Sequence, residues 1–369
     1  MKYMKMAAIA MMALALFSCN KKNEPKNEVA QLSIRINDAE LRAMMDPANT
    51  GDQTLITENV VLTLDNGTEI TLTPTEITAA KSADGYKKPV TEVVKSVSLV
   101  ANGKIENDTD ITTLQGKKIE TEIPLSAPAK DVTTTVENGV TTYAVTLEPK
   151  PAIARLEVFG KIEGQANANG KQAFKDISVE QVYVNNYLST IAGNRHMCVT
   201  NGEDGFAATP ALQAQMNDVI DATNKAAFEG KTKVAGYYLF PKKADETATA
   251  PDYFDHVILK IKITYTDEAL AADANLANMT NRYVTIARFM KDGTGDLDAK
   301  GFEAGMIYKL DLAELSKNFN TDENGKPDPK NPDTPDPEPT ASKQLVVKVQ
   351  PYTWTAVNIK PDINNGYKK

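Results

Sequence analysis

The sequence predicts an all-β protein made of two sandwich domains. Its 369 residues exceed the usual size of one domain. Between residue 29 and residue 312 it consists largely of short runs rich in β-branched residues and threonine, which are separated by turn signals. Two of those signals are Asn66-Gly67 and Asn138-Gly139, and each pair suits a two-residue type I′ hairpin turn, because both central residues need a positive φ.

The first half of the chain accounts for one sandwich. Strand-forming runs at 60–64 and 68–73 flank the first Asn-Gly pair, and runs at 132–136 and 140–147 flank the second. A further run occupies 93–100. Pro149 and Pro151 then interrupt the pattern, because neither can donate to a strand ladder. We therefore expect a domain boundary at about residue 150.

The second half repeats the β pattern and contains one helical signal. Strand-forming runs occur at 154–159, 177–187, 233–240, 257–265, 282–289 and 306–312. Within 257–265, Leu259, Ile261 and Ile263 alternate with lysines, which indicates one buried and one solvated face. Between these strands, an N-cap residue and a proline at the first helical position precede apolar residues at helical spacing. This pattern predicts a short helix that includes Thr209, Pro210, Leu212, Met216, Val219, Ile220 and Ala227.

The N-terminus has the features of an export signal. A basic start is followed by the apolar run 6–17, which is too short to span a bilayer. The run ends in Leu16-Phe17-Ser18-Cys19, which resembles a bacterial lipobox, so we expect a signal peptide at 1–18 and lipidation of Cys19. An ordinary signal peptide with a chance cysteine is the alternative. The polar segment 19–28 is expected to be a lipidated tether.

Composition and motifs exclude several classes of function. The net charge is −8, and only six arginines are present, so nucleic acid is not expected as a partner. Two cysteines and two histidines leave little for disulfides, thiol catalysis or zinc. The sequence has no Gly-x-Ser-x-Gly, His-Glu-x-x-His, P-loop or Gly-x-Gly-x-x-Gly motif. We therefore expect that the protein is not an enzyme and that it has no cofactor and no metal site.

The C-terminus combines a spacer with strand-forming sequence. The Pro/Asp-rich segment 320–342 predicts an extended linker. In the following segment, 343–369, Pro351 should separate two short strands. These strands have no partner of their own in sequence and need another strand to pair with. Their apolar and aromatic positions are Leu345, Val347, Val349, Tyr352, Trp354, Val357 and Ile359.

The two ends of the chain share a pattern. Leu32-Ser-Ile-Arg-Ile36 and Leu345-Val-Val-Lys-Val349 both have apolar residues at alternate positions and a basic residue at the same offset. Each would put three aliphatic side chains on one face of a strand, so both segments suit the same groove. Arg42-Ala43 follows in the turn-rich segment 37–52, which should be accessible to a protease. A cut there would free the propeptide strand 29–42, and the C-terminal strand of another molecule would fill its place by β-strand addition. Arg35 is an alternative cleavage site, although strand pairing should shield it.

These features resemble the fimbrillins, or type V pilins, of Gram-negative bacteria. The resemblance extends over nearly the whole chain and includes the lipobox, the early Arg-Ala and the segments Ala154-Arg155-Leu156, Tyr238-Leu-Phe-Pro241, Phe302-Glu-Ala-Gly-Met-Ile-Tyr308 and Tyr352-Thr-Trp354. It implies transthyretin-like β-sandwiches at 43–150 and 151–319, and a lipoprotein exported through the periplasm to the outer membrane. It also implies maturation by an arginine-specific protease and polymerisation with identical or related pilin subunits into surface fimbriae for adhesion.

Carried over to this sequence, the resemblance implies that Cys19 is lipidated, that Arg42 is cleaved, and that 343–369 is the donor-strand segment of a shaft subunit. The competing interpretation is a surface-tethered glycan-binding lipoprotein. Such sites usually need aromatic platforms, whereas the single tryptophan of this chain, Trp354, lies in the tail. A secreted enzyme has no motif in its support.

Overall fold

The computed structural model describes residues 30–36, 56, 59–82, 85–115, 117, 122–137, 140–202, 205–208, 216–241, 255–286, 302–328, 344–347 and 356–362.

The first half forms two sheets. One has the strand order β4-β1-β8-β7 and the other β3-β2-β5-β6-β9. The helix α1 (Pro74–Ala80) and the 3₁₀ helix η1 (Ile111–Leu114) connect strands of this half. Its strands are β1 (Ala30–Ile36), β2 (Val61–Leu64), β3 (Glu69–Thr71), β4 (Tyr86–Val90), β5 (Ser96–Ala101), β6 (Leu125–Asp131), β7 (Thr133–Glu137), β8 (Val140–Leu147) and β9 (Lys150–Pro151).

The second half forms two larger sheets, of order β17-β10-β20-β22-β21 and β16-β11-β18-β19, and two short hairpins, β12-β13 and β14-β15. Its helices are α2 (Lys225–Glu229), α3 (Asp267–Ala272) and the 3₁₀ helices η2 (Ala274–Asn278) and η3 (Leu312–Asn318). Its strands are β10 (Ala154–Phe159), β11 (Phe174–Asn185), β12 (Tyr187–Leu188), β13 (Arg195–His196), β14 (Val199–Gly202), β15 (Gly205–Ala208), β16 (Asn217–Val219), β17 (Ala235–Leu239), β18 (His256–Tyr265), β19 (Asn281–Ile286), β20 (Ile307–Asp311), β21 (Gln344–Val347) and β22 (Ala356–Asp362).

The predicted all-β sandwich class is confirmed. Buried aliphatic and aromatic side chains from the facing sheets form a continuous hydrophobic cluster. In β18, Leu259, Ile261 and Ile263 are buried, while Lys262 between them is exposed. From residue 261 to residue 265, this alternation puts one face of β18 in the core and the other in solvent, whereas residues 256–259 are buried on both faces.

The first hairpin turn differs from the predicted type I′ turn. Its loop has three residues, 65–67. Asp65 belongs to the loop because it bonds to the neighbouring strand segment: its N–H donates to Ser96 O, and its carboxylate accepts from the N–H of Lys95 at 2.8 Å. The N–H of Gly67 donates to Leu64 O at 2.9 Å, and only Gly67 of the loop has a positive φ, 85°. This geometry is a type I turn followed by a glycine bulge. The second pair, at 138–139, lies outside the described residues.

The predicted helix near residues 209–227 is also corrected. Residues 217–219 form β16, which pairs antiparallel with β11, and helix α2 spans only Lys225–Glu229. Asp221 and Asn224 cause the break, because the Asn224 side chain accepts from the N–H of Asp221 and donates to Val219 O. The apolar stripe is correspondingly discontinuous, since Met216 is buried whereas Val219 is 52% exposed. Thr209, Pro210 and Leu212 lie outside the described residues.

The predicted linker 320–342 is wrong over its first nine residues. The buried hydroxyl of Thr321 donates to Gln165 O at 2.7 Å and accepts from the N–H of Ala173 at 2.9 Å. Asp322 accepts a hydrogen bond from the side chain of Asn167 through its backbone oxygen. These bonds attach residues 320–328 to the second sandwich, although their composition is that of a spacer.

Direct hydrogen bonds join the two halves. The side-chain amide of Gln115, at the end of η1, accepts from the N–H of Tyr238 at 2.9 Å and donates to Tyr238 O at 2.8 Å. A neighbouring strand would make the same two bonds to β17, which is the edge strand of its sheet among the described residues. Gln115 therefore satisfies the outward backbone groups of Tyr238 on that edge, and β22 and β21 join the sheet at its other side, beyond β20.

A buried ion pair lies in the middle of the same sheet. On β10, Arg155 Nε donates to Glu157 Oε1 at 2.8 Å, and both side chains are fully buried. The guanidinium carbon of Arg155 lies 5.1 Å from the ring centroid of Tyr238, within the range of a cation–π contact. The surroundings are poorly solvated, since burial lowers the pKa of Lys309 on β20. Each charge of the pair therefore depends on the other.

We expect that Glu157→Gln lowers the free energy of unfolding by about 3–5 kcal/mol, because it leaves the Arg155 charge buried without its counter-ion. The double variant Arg155→Met/Glu157→Leu removes both charges and should cost less than the single variant. Urea unfolding of the three proteins, followed by circular dichroism, measures the difference. If the double variant were at least as unstable as Glu157→Gln, the ion pair would stabilise the protein more than the two apolar residues that replace it.

Candidate assembly site

The first strand of the chain lies inside a sheet. β1 pairs antiparallel with β4, from Ala30↔Val90 to Ile34↔Tyr86, and parallel with β8, from Gln31↔Thr142 to Ile36↔Leu147. A strand with two neighbours leaves two unsatisfied backbone edges when it is removed, whereas an edge strand leaves only one. Loss of β1 would therefore leave a gap one strand wide.

One of the propeptide positions predicted from the sequence, Leu32, lies on the core side of β1. It is fully buried and is paired with buried Tyr143. The backbone at positions 34 and 36 is paired with Val145 and Leu147, which are also buried. Residues two apart on a strand share a face, so positions 34 and 36 are on the face of β1 that carries Leu32.

β4 is tied to the rest of the domain by an acidic residue of α1. Glu76 Oε1 accepts a hydrogen bond from the hydroxyl of Tyr86, and Lys88 Nζ lies 3.5 Å from the same oxygen. Glu76 Oε2 accepts from the N–H of Thr73 at 2.7 Å, which completes a capping box at the start of the helix. We call Thr73, Glu76, Tyr86 and Lys88 the Glu76 cluster.

The protonation states of the Glu76 cluster suit these bonds. The hydrogen bond from the Thr73 backbone, followed by that from Tyr86, lowers the pKa of Glu76 to about 2. The same contact raises the pKa of Tyr86 to about 12, because ionised Glu76 favours the neutral phenol. At neutral pH the carboxylate is therefore charged and the phenol keeps the proton that it donates.

The C-terminal tail adds two strands to the second sandwich. β22 pairs parallel with β20, from Ile307↔Ala356 to Leu310↔Ile359, and β21 pairs antiparallel with β22, from Gln344↔Asp362 to Val347↔Ile359. Positions 357 and 359 are thus opposite Tyr308 and Leu310, which are buried. The register places positions 345 and 347 on the same face.

The two halves share an arrangement around β1 and β10. In the first half, the order β4-β1-β8 puts β1 between an antiparallel neighbour, β4, and a parallel neighbour, β8. In the second half, the order β17-β10-β20 places β10 in the same way and with the same directions. β22 adds in parallel to β20, as β1 does to β8.

Several residues predicted to function in assembly are not part of this geometry. Cys19, Arg42, Ala43, Val349, Tyr352 and Trp354 lie outside the described residues. Arg35 is within β1, where it is paired with Thr146. Sequence reasoning missed the Glu76 cluster, although the run Thr73-Pro-Thr-Glu76 carries the capping-box signal that would have located α1.

A cavity of about 420 Å³ opens on the second sandwich. Aromatic rings of Phe174, Tyr265 and Phe319 line it together with polar residues that include Arg282 and Asp273. Phe174 meets Phe319 edge-on at 85° and packs against Tyr265, each with a centroid distance of 5.9 Å. The three rings are buried and pack on one another.

Cys198 is fully buried, and burial raises the pKa of its thiol to about 12, so the thiol form is favoured at neutral pH. Within the described ranges, no three His, Cys, Asp or Glu side chains are grouped as metal ligands. No helix in that part of the chain has the length and apolar character required to cross a membrane.

The lowered pKa of Glu76 predicts a pH dependence of stability. Because folding depresses this pKa from 4.5 to about 2, the contribution of the carboxylate is complete above 4.5 and is lost as the pH falls towards 2. The difference in unfolding free energy between the wild type and Glu76→Gln should shrink over that range. Urea unfolding at a series of pH values measures it, and Tyr86→Phe should keep part of the dependence, because Thr73 still donates. Parallel stability curves for wild type and Glu76→Gln would contradict the prediction.

No family model and no curated protein matches the chain. Among solved structures, it is similar to a fimbrilin from Porphyromonas gingivalis, with 14% identity and a TM-score of 0.42 over 92% of this chain and 100% of that one. It is also similar to two proteins provisionally named cell adhesion proteins. The one from Bacteroides eggerthii has 15% identity and a TM-score of 0.45 over 90% and 98% of the two chains. The one from Parabacteroides distasonis has 12% identity and a TM-score of 0.44 over 90% and 99%. Similarity at this level decides neither fold nor function, and both rest on the residues themselves.

Proposed function

We propose that the chain is the precursor of a structural pilin subunit that polymerises by donor-strand exchange. In this proposal it is exported through the periplasm as a lipoprotein, with Cys19 lipidated, and reaches the outer membrane. An arginine-specific protease cuts between Arg42 and Ala43, and the subunits assemble into surface fimbriae for adhesion. The observation that carries the proposal is the position of β1 inside its sheet.

A cut after Arg42 would leave β1 without a covalent link to the strands that follow it. Only its two ladders and its buried side chains would then hold it. When it leaves, the gap matches one strand that runs parallel to β8 and antiparallel to β4. The occupant also needs aliphatic residues at alternate positions, because the place of Leu32 is fully buried.

The C-terminal segment 343–369 meets these requirements. Its strands pair with each other and with β20 of their own second sandwich, and one of these pairings is parallel. Exchange would replace one set of ladder bonds by a similar set, so the balance depends on the apolar surface that each strand buries. Leu345, Val347 and Val349 would offer the groove three aliphatic side chains in place of those at positions 32, 34 and 36, and each buried side chain contributes about 1.5–3 kcal/mol. The rest of the segment adds further apolar and aromatic positions, namely Tyr352, Trp354, Val357 and Ile359.

The cleavage step is tested by replacing the arginine. After treatment with an arginine-specific protease, the wild type should yield a product that begins at Ala43 and should form polymer. Arg42→Ala should stay monomeric, because its own β1 remains covalently attached, and the control Arg35→Ala should behave like the wild type. N-terminal sequencing and size-exclusion chromatography measure both steps. Polymer from Arg42→Ala at the wild-type yield would place the cut elsewhere, with Arg35 as the first candidate.

The donor register is tested with adjacent valines. Position 347 is aligned with the core-facing positions of the sheet and position 346 with the opposite face. We expect Val347→Asp to abolish polymer after cleavage, because it buries a charge in the groove, and Val346→Asp to be tolerated. Polymer yield by size-exclusion chromatography is the measurement. Equal losses from the two variants would show that the parity, and with it the proposed register, is wrong.

A further inference from the structure

Strand exchange requires that β4 and β8 do not pair with each other after β1 has left. Among the described residues, β4 has β1 as its only ladder partner, whereas β8 is also paired with β7. Once β1 has left, β4 and β8 face each other across two inter-strand spacings, about 10 Å. β4 is antiparallel to β1, and β1 is parallel to β8, so β4 already runs in the correct direction to pair with β8 directly. That pairing would satisfy both edges and close the groove.

The Glu76 cluster opposes this closure. Tyr86 and Lys88 are two residues apart and share one face of β4. Both contact Glu76 Oε1, so one carboxylate holds the strand at two points. These points are opposite Ile34 and Leu32 of β1, the region that a replacing strand must enter.

The other end of the Glu76 cluster is fixed independently of the β1 ladders. Thr73, which donates to Glu76 through its backbone, follows directly on Leu72, whose N–H donates to Val60 O at 2.9 Å. Val60 precedes β2, a strand of the opposite sheet. The side chains of Leu72 and of Ile77 in α1 are buried in the core. The hydrogen bonds of Glu76 thus connect β4 to the opposite sheet without using β1.

We propose that Glu76 is a positioning residue for strand exchange, which holds β4 apart from β8 after β1 has left, so that an incoming strand meets an open groove. This inference rests on the proposed function. Glu76 touches neither the departing nor the arriving strand in a hydrogen bond that the structure describes, and it acts through Tyr86 and Lys88.

The test uses the full chain after cleavage by the arginine-specific protease, with a dye-labelled synthetic peptide of residues 343–369 as the probe. Association and dissociation rates are measured by fluorescence anisotropy for the wild type, Glu76→Gln and Tyr86→Phe. Glu106→Gln is the matched control, because it removes an exposed carboxylate of the same half that pairs with Lys104 at 2.9 Å and is not part of the Glu76 cluster. Urea unfolding of each uncleaved variant reports its folding.

We expect Glu76→Gln to slow association about tenfold, the factor for the loss of about one charge-assisted hydrogen bond. Dissociation should change little, because the inserted strand itself then holds β4. Tyr86→Phe should show a smaller effect in the same direction, and Glu106→Gln none. Tyr86→Phe keeps the test decisive if Glu76→Gln fails to fold.

Two results separate the inference from the proposed function. Cleaved wild type that binds no peptide would overturn the proposed function, and the inference with it. Wild type that binds while both cluster variants associate at the wild-type rate would overturn the inference alone. A change confined to dissociation would also overturn it, because it would show that the Glu76 cluster stabilises the filled sandwich and does not prepare the empty groove.

Discussion

The fold depends on the requirement that every backbone N–H and C=O in a sheet has a partner. Sandwich proteins usually meet this requirement with strands that are covalently continuous with their neighbours. Here β1 is paired on both sides, with β4 and with β8. The stability of that sheet therefore depends on the ladders of β1, and in the proposed assembly an incoming strand would use the same backbone groups. A chain that keeps β1 attached would stay a closed monomer, whereas loss of β1 would leave the domain with two unsatisfied edges.

The second sheet of the first half does not use β1, so it would keep its ladders if β1 were released in the proposed assembly. β2, β3, β5, β6 and β9 are paired among themselves. Leu62, Val97 and Leu99 of this sheet are buried in the core that Leu32 also enters. One layer of the domain would therefore stay intact in the proposed exchange, and only the other layer would lose a strand. A hydrophobic groove would then remain in place of β1, whereas a domain in which every strand depended on β1 would unfold.

The sequence predicted strands well where the signal is local. Leu259, Ile261 and Ile263 define their face by alternation alone, and the structure agrees. The prediction from sequence was wrong where contacts with distant parts of the chain determine the local structure. Met216 and Ile220 fit a helical stripe, but pairing with β11 draws residues 217–219 into a strand. The composition around Thr321 predicts a spacer, but its hydroxyl bonds to Gln165 and Ala173 and attaches this segment to the second sandwich.

The candidate site was predictable to the same extent. The alternation in Leu32, Ile34 and Ile36 is visible in the sequence, but the interior position of β1 is not, because β8 lies more than a hundred residues away along the chain. The start of α1 is likewise marked by its capping box. That Glu76 then meets Tyr86 and Lys88 depends on how the helix packs, which no spacing rule specifies.

The side-chain amide of Gln115 has a consequence for the shape of any assembly. By occupying the backbone groups of Tyr238, it blocks strand pairing at that residue of β17, the outer strand of the larger sheet of the second half among the described residues. The two tail strands join the same sheet on the other side, next to β20. The two borders of the sheet therefore differ in how readily they would accept a further strand. In the proposed polymer, this difference would favour contact between copies at one border, and it would oppose sideways fusion at the other.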